Sequence, residues 1–202
     1  MPNGFDTPSV VKTSFCSEGI KAIFIGRLDI YHKGIDLLLD AITEAHKELK
    51  DSGFSLNIHD PHRYDYENIK NEIETRDITD IASVNGEISG KEKEQAILDS
   101  DLCIMTSRFE GHPMGLIEAL AYGLPCLVTP GTNMLEEVKK ADAGWVCEGN
   151  VESIKDILIK VIVDKNKYDF KSLHAIELAK MYNWDNLAED FHKELMKLIN
   201  KD

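Results

Sequence analysis

Residues 101–129 read DLCIMTSRFEGHPMGLIEALAYGLPCLVT, which is strand, turn, helix, turn and strand in succession. The runs at 101–106 and 125–129 are short, apolar and of buried-strand type. Pro113 suits the first position of a helix, where its missing N–H would have had no partner and its fixed φ is already helical. A helix is therefore expected over 113–123. Strand, helix and strand in succession is the pattern of a parallel pair, whose connection is a crossover that is usually helical.

The same alternation extends in both directions. Strands are expected near 21–26, 54–59, 81–85 and 144–147, and helical patterns near 34–50, 65–75, 90–99, 133–140 and 151–163. This order predicts an α/β fold: a doubly wound, mostly parallel, six-stranded Rossmann-like sheet with helices on both faces. The usual strand order, 3-2-1-4-5-6, makes strands 1 and 4 neighbours at the switch point where ligands bind.

Chemistry-bearing residues follow both of those strands. After strand 1, Gly26 is expected to let the backbone turn tightly, Arg27 offers a planar fork to phosphate, and Lys33 offers a mobile point charge. After strand 4, the first-turn N–H groups of Met114, Gly115 and Leu116 carry the positive end of a helix dipole, which favours phosphate. Glu110 lies in the loop before that helix. Glu118 lies five residues into it, about 7.5 Å along the axis. An ionised carboxylate accepts well from vicinal hydroxyls, so one sugar-bearing diphosphate could touch all of these groups. Taken singly, Glu110 and Glu118 also fit solvated positions. Arg27 and Lys33 also fit surface pairs with Asp29, Asp36 or Asp40. Convergence of the two segments on one crevice favours a ligand site.

The Gly26-Arg27 and Lys33-Gly34 pairs, and Glu110 spaced eight from Glu118 in EGHPMGLIEALAYGLP, resemble the C-terminal donor domain of retaining GT-B glycosyltransferases of family 4. The resemblance covers nearly the whole chain, so one half of a GT-B fold is expected. It implies three parts: an interdomain-linker-like lead-in over 1–20, a nucleotide-sugar donor domain over 21–181, and a C-terminal helix within 182–202. It further implies that Arg27 and Lys33 neutralise the donor diphosphate in place of a metal, so that no cofactor is required. Glu110 would hold hydroxyls of the transferred sugar and Glu118 those of the ribose. Gly111 and His112 would line the donor, and Ile88 would meet the base through its main chain, with Lys93 a weaker contact. The implied donor is a UDP- or GDP-sugar. The implied acceptor is a saccharide or lipid-linked acceptor, as in polysaccharide biosynthesis, held by an N-terminal domain that this chain does not contain. A separate nucleotide-sugar-binding subunit or sensor acting with a partner chain is the alternative.

The chain departs from the family after strand 2. Where a glycine-rich turn is usual, it has Ile58-His59-Asp60-Pro61-His62-Arg63. His59, Asp60 and His62 lack a clear third and fourth ligand for a metal site and read as a surface turn. His112 could equally reach the donor, cap or pack. No Gly-x-Gly-x-x-Gly follows strand 1, which argues against a nicotinamide-dependent oxidoreductase. In the final helix, expected over 186–198, Leu187, Phe191, Leu195 and Leu198 form an apolar stripe that packs on the core or crosses to a partner domain.

Composition sets the outer bounds. The 202 residues are 43% hydrophobic and 29% charged, enough for one sizeable core. A net charge of −13 disfavours nucleic acid and anionic membranes as partners. Cys16, Cys103, Cys126 and Cys147 show no metal spacing and read as reduced core residues. With no signal peptide or membrane-spanning run visible, direct membrane insertion is not expected. The expected location is cytoplasmic, with the full-length protein possible at the inner membrane face.

Overall fold

The computed structural model describes residues 4–15, 18–27, 29–59 and 65–199. Its sheet has the order β3-β2-β1-β4-β5-β6, and every pair is parallel. The chain runs β1 (Lys21–Ile25), α1 (Ile35–Glu44), α2 (His46–Asp51), β2 (Ser55–His59), α3 (Tyr66–Thr75), β3 (Ala82–Asn85), α4 (Gly90–Leu98) and β4 (Leu102–Met105). It continues through α5 (Met114–Ala121), β5 (Cys126–Val128), α6 (Leu135–Ala141), β6 (Gly144–Val146), α7 (Val151–Val163), α8 (Tyr168–Lys180) and α9 (Trp184–Ile199), with 3-10 turns at Pro130–Thr132 and Lys165–Lys167.

The central strands β1, β4 and β5 read as apolar runs because both of their faces are covered, whereas β2 and β3 toward one edge carry half-buried polar residues. In β1, Ala22 and Phe24 enter one core with Leu38 and Ile42 of α1 and Leu158 of α7. Ile23 and Ile25 enter the other core with Leu116 and Leu120 of α5 and Leu178 of α8. Helix α1 packs on α7, and α5 packs on α8.

Three local features differ from the sequence expectation. The helix expected over 34–50 is two, because the chain leaves helical geometry at Ala45, with φ −105° and ψ 13°. Helix α8 falls outside every expected element. Its buried positions are Tyr168, Lys171, Ser172, Ala175, Leu178 and Ala179, while Phe170 and Leu173 face out. A buried face made largely of small and polar residues gives no apolar period. Lys171 is tolerated there because its Nζ pairs with the Asp142 carboxylate and donates to the Gly144 carbonyl at 2.8 Å. The stripe on α9 packs inward only at Leu187; Phe191, Leu195 and Leu198 are exposed.

The first and last described segments are joined. Phe5 N–H donates to the Tyr182 carbonyl at 3.1 Å, and Trp184 N–H donates to the Phe5 carbonyl at 3.3 Å. No helix among the described residues is long and apolar enough to cross a membrane.

Cys103, Cys126 and Cys147 are buried free thiols. Burial raises all three, Cys103 and Cys147 to about 12 and Cys126 well above the usual range. Cys16 lies outside the described residues. Because the thiolate is the nucleophile, iodoacetamide at pH 8 is expected to leave the three buried thiols unlabelled in the native chain and to label them after unfolding. Peptide mass mapping checks this, and labelling of the native chain at Cys103 would contradict the packing.

Candidate functional site

At the carboxyl ends of β1 and β4 the two following loops are locked together by a pair of close glycine contacts. Gly34 takes the left-handed conformation, φ 60°, and a Cβ there would stand 2.1 Å from the Thr106 carbonyl oxygen at the end of β4. In the other direction, a Cβ on Gly115 of α5 would stand 2.8 Å from the Ile25 carbonyl oxygen at the end of β1. Each loop thus seats a glycine on the other's strand, a distance no side chain allows. The chain bends at Gly26 as it leaves β1, but the positive φ falls at Gly34. Gly26 does not have positive φ, and a Cβ there would meet only the Lys33 side chain, Nζ at 3.8 Å and Cε at 3.9 Å.

Polar bonds complete the junction. Thr106 Oγ1 donates within reach of the Lys33 and Gly34 carbonyls, at 3.2 and 3.1 Å. Arg108 N–H donates to the His32 carbonyl at 2.8 Å. The Arg108 guanidinium grips both oxygens of Asp36 at 2.7 and 2.8 Å and donates to the Tyr31 carbonyl at 2.7 Å. Such a fork on a carboxylate fixes orientation as well as distance. The sequence signal for Arg108 was only its place beside the motif, and in sequence Asp36 is only one of three alternative surface partners of Arg27 or Lys33.

The junction sets Lys33 against Glu110 as an ion pair, their side chains 15% and 12% exposed. Ser107 Oγ donates to Glu110 Oε1 at 3.0 Å. Arg27 is exposed, and among the described residues no carboxylate forms an ion pair with it. Arg27, Lys33 and Glu110 line one cavity of about 630 Å³, with Gly111 on its wall. Asp29, Asp36 and Asp40 are taken by His32, Arg108 and Arg76, so the surface pairs weighed for Arg27 and Lys33 do not form among the described residues.

Glu118 faces a second cavity of about 390 Å³, walled by Lys93, Met114, Tyr122 and Trp184. There it pairs with Lys93 across the gap from α5 to α4. Two cavities therefore flank the start of α5, each with one lysine and one glutamate already in contact. Ile88 and Met114 pack half-buried against the second core.

Pro113 sits one position before α5, with ψ 76°, rather than inside its first turn. Its carbonyl accepts from Leu116 N–H at 3.0 Å, and the His112 carbonyl accepts from Met114 N–H at 3.0 Å. Of the three N–H groups expected to face a ligand, only that of Gly115 has no acceptor among the described residues. Leu116 places its side chain in the core. The His112 ring packs on Tyr182, with centroids 5.6 Å apart.

His59 closes β2 at the same edge of the sheet. Its Nδ1 is buried without a hydrogen-bond partner, and burial lowers its pKa. Asp60 and His62 lie outside the described residues. Among the described residues no group of three His, Cys, Asp or Glu side chains is placed to hold a metal ion.

Cations and carboxylates are thus gathered at the switch point of a doubly wound parallel sheet, the place where open α/β sheets bind ligands. The model of the glycosyl transferases group 1 family matches residues 10–175, and the chain belongs to that family. The poly(glycerol-phosphate) alpha-glucosyltransferase of Bacillus subtilis is 28% identical over 201 residues, covering 91% of this chain and 27% of its own length. Sucrose-phosphate synthase from Thermosynechococcus elongatus superposes with a TM-score of 0.80 at 16% identity, over 100% of this chain and 52% of that one. Anabaena HepE, solved with UDP and glucose, superposes with a TM-score of 0.72 at 17% identity, over 90% of this chain and 49% of that one. The chain thus spans about half or less of the length of these proteins. The structural likeness establishes the shared fold, with this six-stranded parallel sheet as its common element.

Proposed function

We propose that this chain is the donor-binding half of a retaining glycosyltransferase. It takes a UDP- or GDP-sugar without a metal, and the hexosyl group passes to a saccharide or lipid-linked acceptor carried by an N-terminal domain. Polysaccharide or related glycoconjugate assembly is the setting. The observation that carries this reading is the single cavity in which Arg27, Lys33 and Glu110 meet at the junction of β1 and β4. The UDP and glucose bound to the HepE neighbour support the choice of ligand class.

In this reading Arg27 and Lys33 take the diphosphate and stabilise the charge that builds on the leaving nucleotide as the glycosidic bond breaks. The Gly115 N–H, at the positive end of α5, adds a backbone donor. Glu110 accepts from hydroxyls of the transferred sugar and Glu118 from those of the ribose. The leaving phosphate takes the acceptor's proton, so the chain supplies no nucleophile.

The ion pairs explain what a donor has to bring. Removing one partner of a shielded pair leaves the other charge uncompensated, which is costly. A nucleotide sugar replaces both partners at once, phosphate for Glu110 at Lys33 and hydroxyls for Lys33 at Glu110. The exposed stripe of α9, with Phe191, Leu195 and Leu198 uncovered, supports a second body against which this half works.

Glu118→Ala tests the ribose assignment. The unaltered chain is expected to bind UDP about tenfold more tightly than 2′-deoxy-UDP, as for one hydrogen bond to a charged group. Glu118→Ala is expected to bind the two equally. A preference that survives in the variant would remove Glu118 from the ribose site.

A further inference from the structure

Aromatic rings stand at the mouth of the Lys33–Glu110 cavity, and the donor reading gives them no task. Phe109 directly precedes Glu110, and Tyr31 and His32 directly precede Lys33. Both loops of the junction therefore place rings beside their charged residue. Tyr31 is 61% and Phe109 63% exposed. His32 bridges them edge-on, its ring 6.2 Å from Tyr31 and 6.1 Å from Phe109. The Arg108 guanidinium lies 4.4 Å over the Tyr31 ring.

The loop carrying Phe109 is held on several sides. Beyond the Arg108 bonds, Thr129 Oγ1 donates to the Ser107 carbonyl at 2.9 Å, and Asn133 Nδ2 donates to the Gly111 carbonyl at 3.2 Å. Gly131 packs so tightly under this loop that a Cβ would stand 2.2 Å from the Ser107 carbonyl oxygen. The loop is thus held in place and presents an exposed ring at a position where a polar side chain would serve the fold as well. Fixed geometry lowers the ordering cost of binding.

The surroundings decide the occupant. A protein interface favours a patch depleted of charge at its centre. Here Arg27, Lys33, Arg108 and Glu110 line the same cavity as Phe109. A sugar ring matches this mixture, since it offers C–H bonds to an aromatic face and hydroxyls to charged neighbours. We propose that Phe109, with Tyr31 and His32 beside it, forms a stacking subsite for a neutral hexose ring of the acceptor, next to the place of the transferred sugar at Glu110. The part this subsite plays in transfer rests on the donor reading above.

The test is saturation-transfer NMR on this chain with methyl α-D-glucopyranoside and maltose, each with and without UDP, and with thermal melting as the control for folding. Ring protons of one or both sugars are expected to receive saturation. Phe109→Ala is expected to weaken that sugar about fivefold, equivalent to about 1 kcal/mol, while Phe109→Tyr retains it. UDP affinity, measured by calorimetry, is expected to change less than about twofold in Phe109→Ala, because the ring lies outside the diphosphate contacts. Equal saturation in the unaltered chain and Phe109→Ala, or none from either sugar, overturns the subsite and leaves the rim as a protein-contact surface. Failure of both UDP and GDP to bind the unaltered chain overturns the donor reading instead, and the nucleotide-free sugar spectra then decide the subsite alone.

Discussion

Replacing Arg27 and Lys33 together by alanine is expected to weaken binding of the preferred nucleoside diphosphate by about two to four orders of magnitude, from about 1.5–3 kcal/mol for each charged hydrogen bond lost. The effect is large because the two cations act in a chain of net charge −13, where the surrounding field repels a diphosphate. It is also asymmetric. Lys33 is shielded against Glu110, so Lys33→Ala leaves that carboxylate with Ser107 alone and adds repulsion at the phosphate position. Arg27 is exposed, and its loss removes attraction only. Adding Glu110→Gln to Lys33→Ala is expected to recover thermal stability without recovering nucleotide affinity. Calorimetry with melting curves separates the two effects. Unchanged affinity in the Arg27/Lys33 double variant would place the diphosphate elsewhere.

Gly34→Ala is expected to lower stability by about 2–4 kcal/mol, a melting shift of about 5–15 °C for a domain of this size. A Cβ at this position meets the Thr106 carbonyl oxygen at 2.1 Å while the backbone holds φ at 60°. Neither side can yield cheaply, because Thr106 is buried directly after the central strand β4 and Gly34 opens α1. Separation of the loops would also part Lys33 from Glu110, so nucleotide affinity should fall with stability. Gly26→Ala is the informative comparison. Its Cβ would make an ordinary 3.8 Å contact with Lys33 Nζ, and a melting shift below about 2 °C is expected, as for an unstrained substitution. Equal destabilisation by the two variants would contradict the glycine junction.

Those two glycines mark the boundary of what the sequence could disclose. The strand order was legible because strict alternation of apolar runs and amphipathic helices leaves few parallel topologies, and that alternation alone brings the segments after β1 and β4 together. Helix α8 was not legible, because Lys171, Ser172 and Ala175 occupy its buried face and are admitted by tertiary partners that leave no periodic trace. Nor was the division at Ala45, inside a pattern that reads as one helix. Gly26 and Gly34 look alike in sequence. Only the close approach of Thr106 makes one of them sterically necessary.

In the site, the residues that gather were legible and their mutual pairing was not. Lys33 and Glu110 are 77 positions apart, and in sequence each reads as meeting a ligand rather than the other. Arg108 and Asp36 carry no motif, yet their paired oxygen contacts at 2.7 and 2.8 Å hold the two loops in register. Pro113 reads as helical from its residue type alone. A ψ of 76° at that residue instead turns the chain before α5 and occupies two of the N–H groups that the sequence had offered to a ligand.

The measurement that bears most directly on the central claim is a calorimetric titration of this chain with UDP, GDP and ADP in metal-free buffer, repeated with EDTA. The account predicts that UDP or GDP binds with an affinity that EDTA leaves unchanged, and that Arg27→Ala with Lys33→Ala removes that binding. Absence of binding by both UDP and GDP, or binding that EDTA abolishes, would contradict a metal-independent nucleotide-sugar site at the junction of β1 and β4.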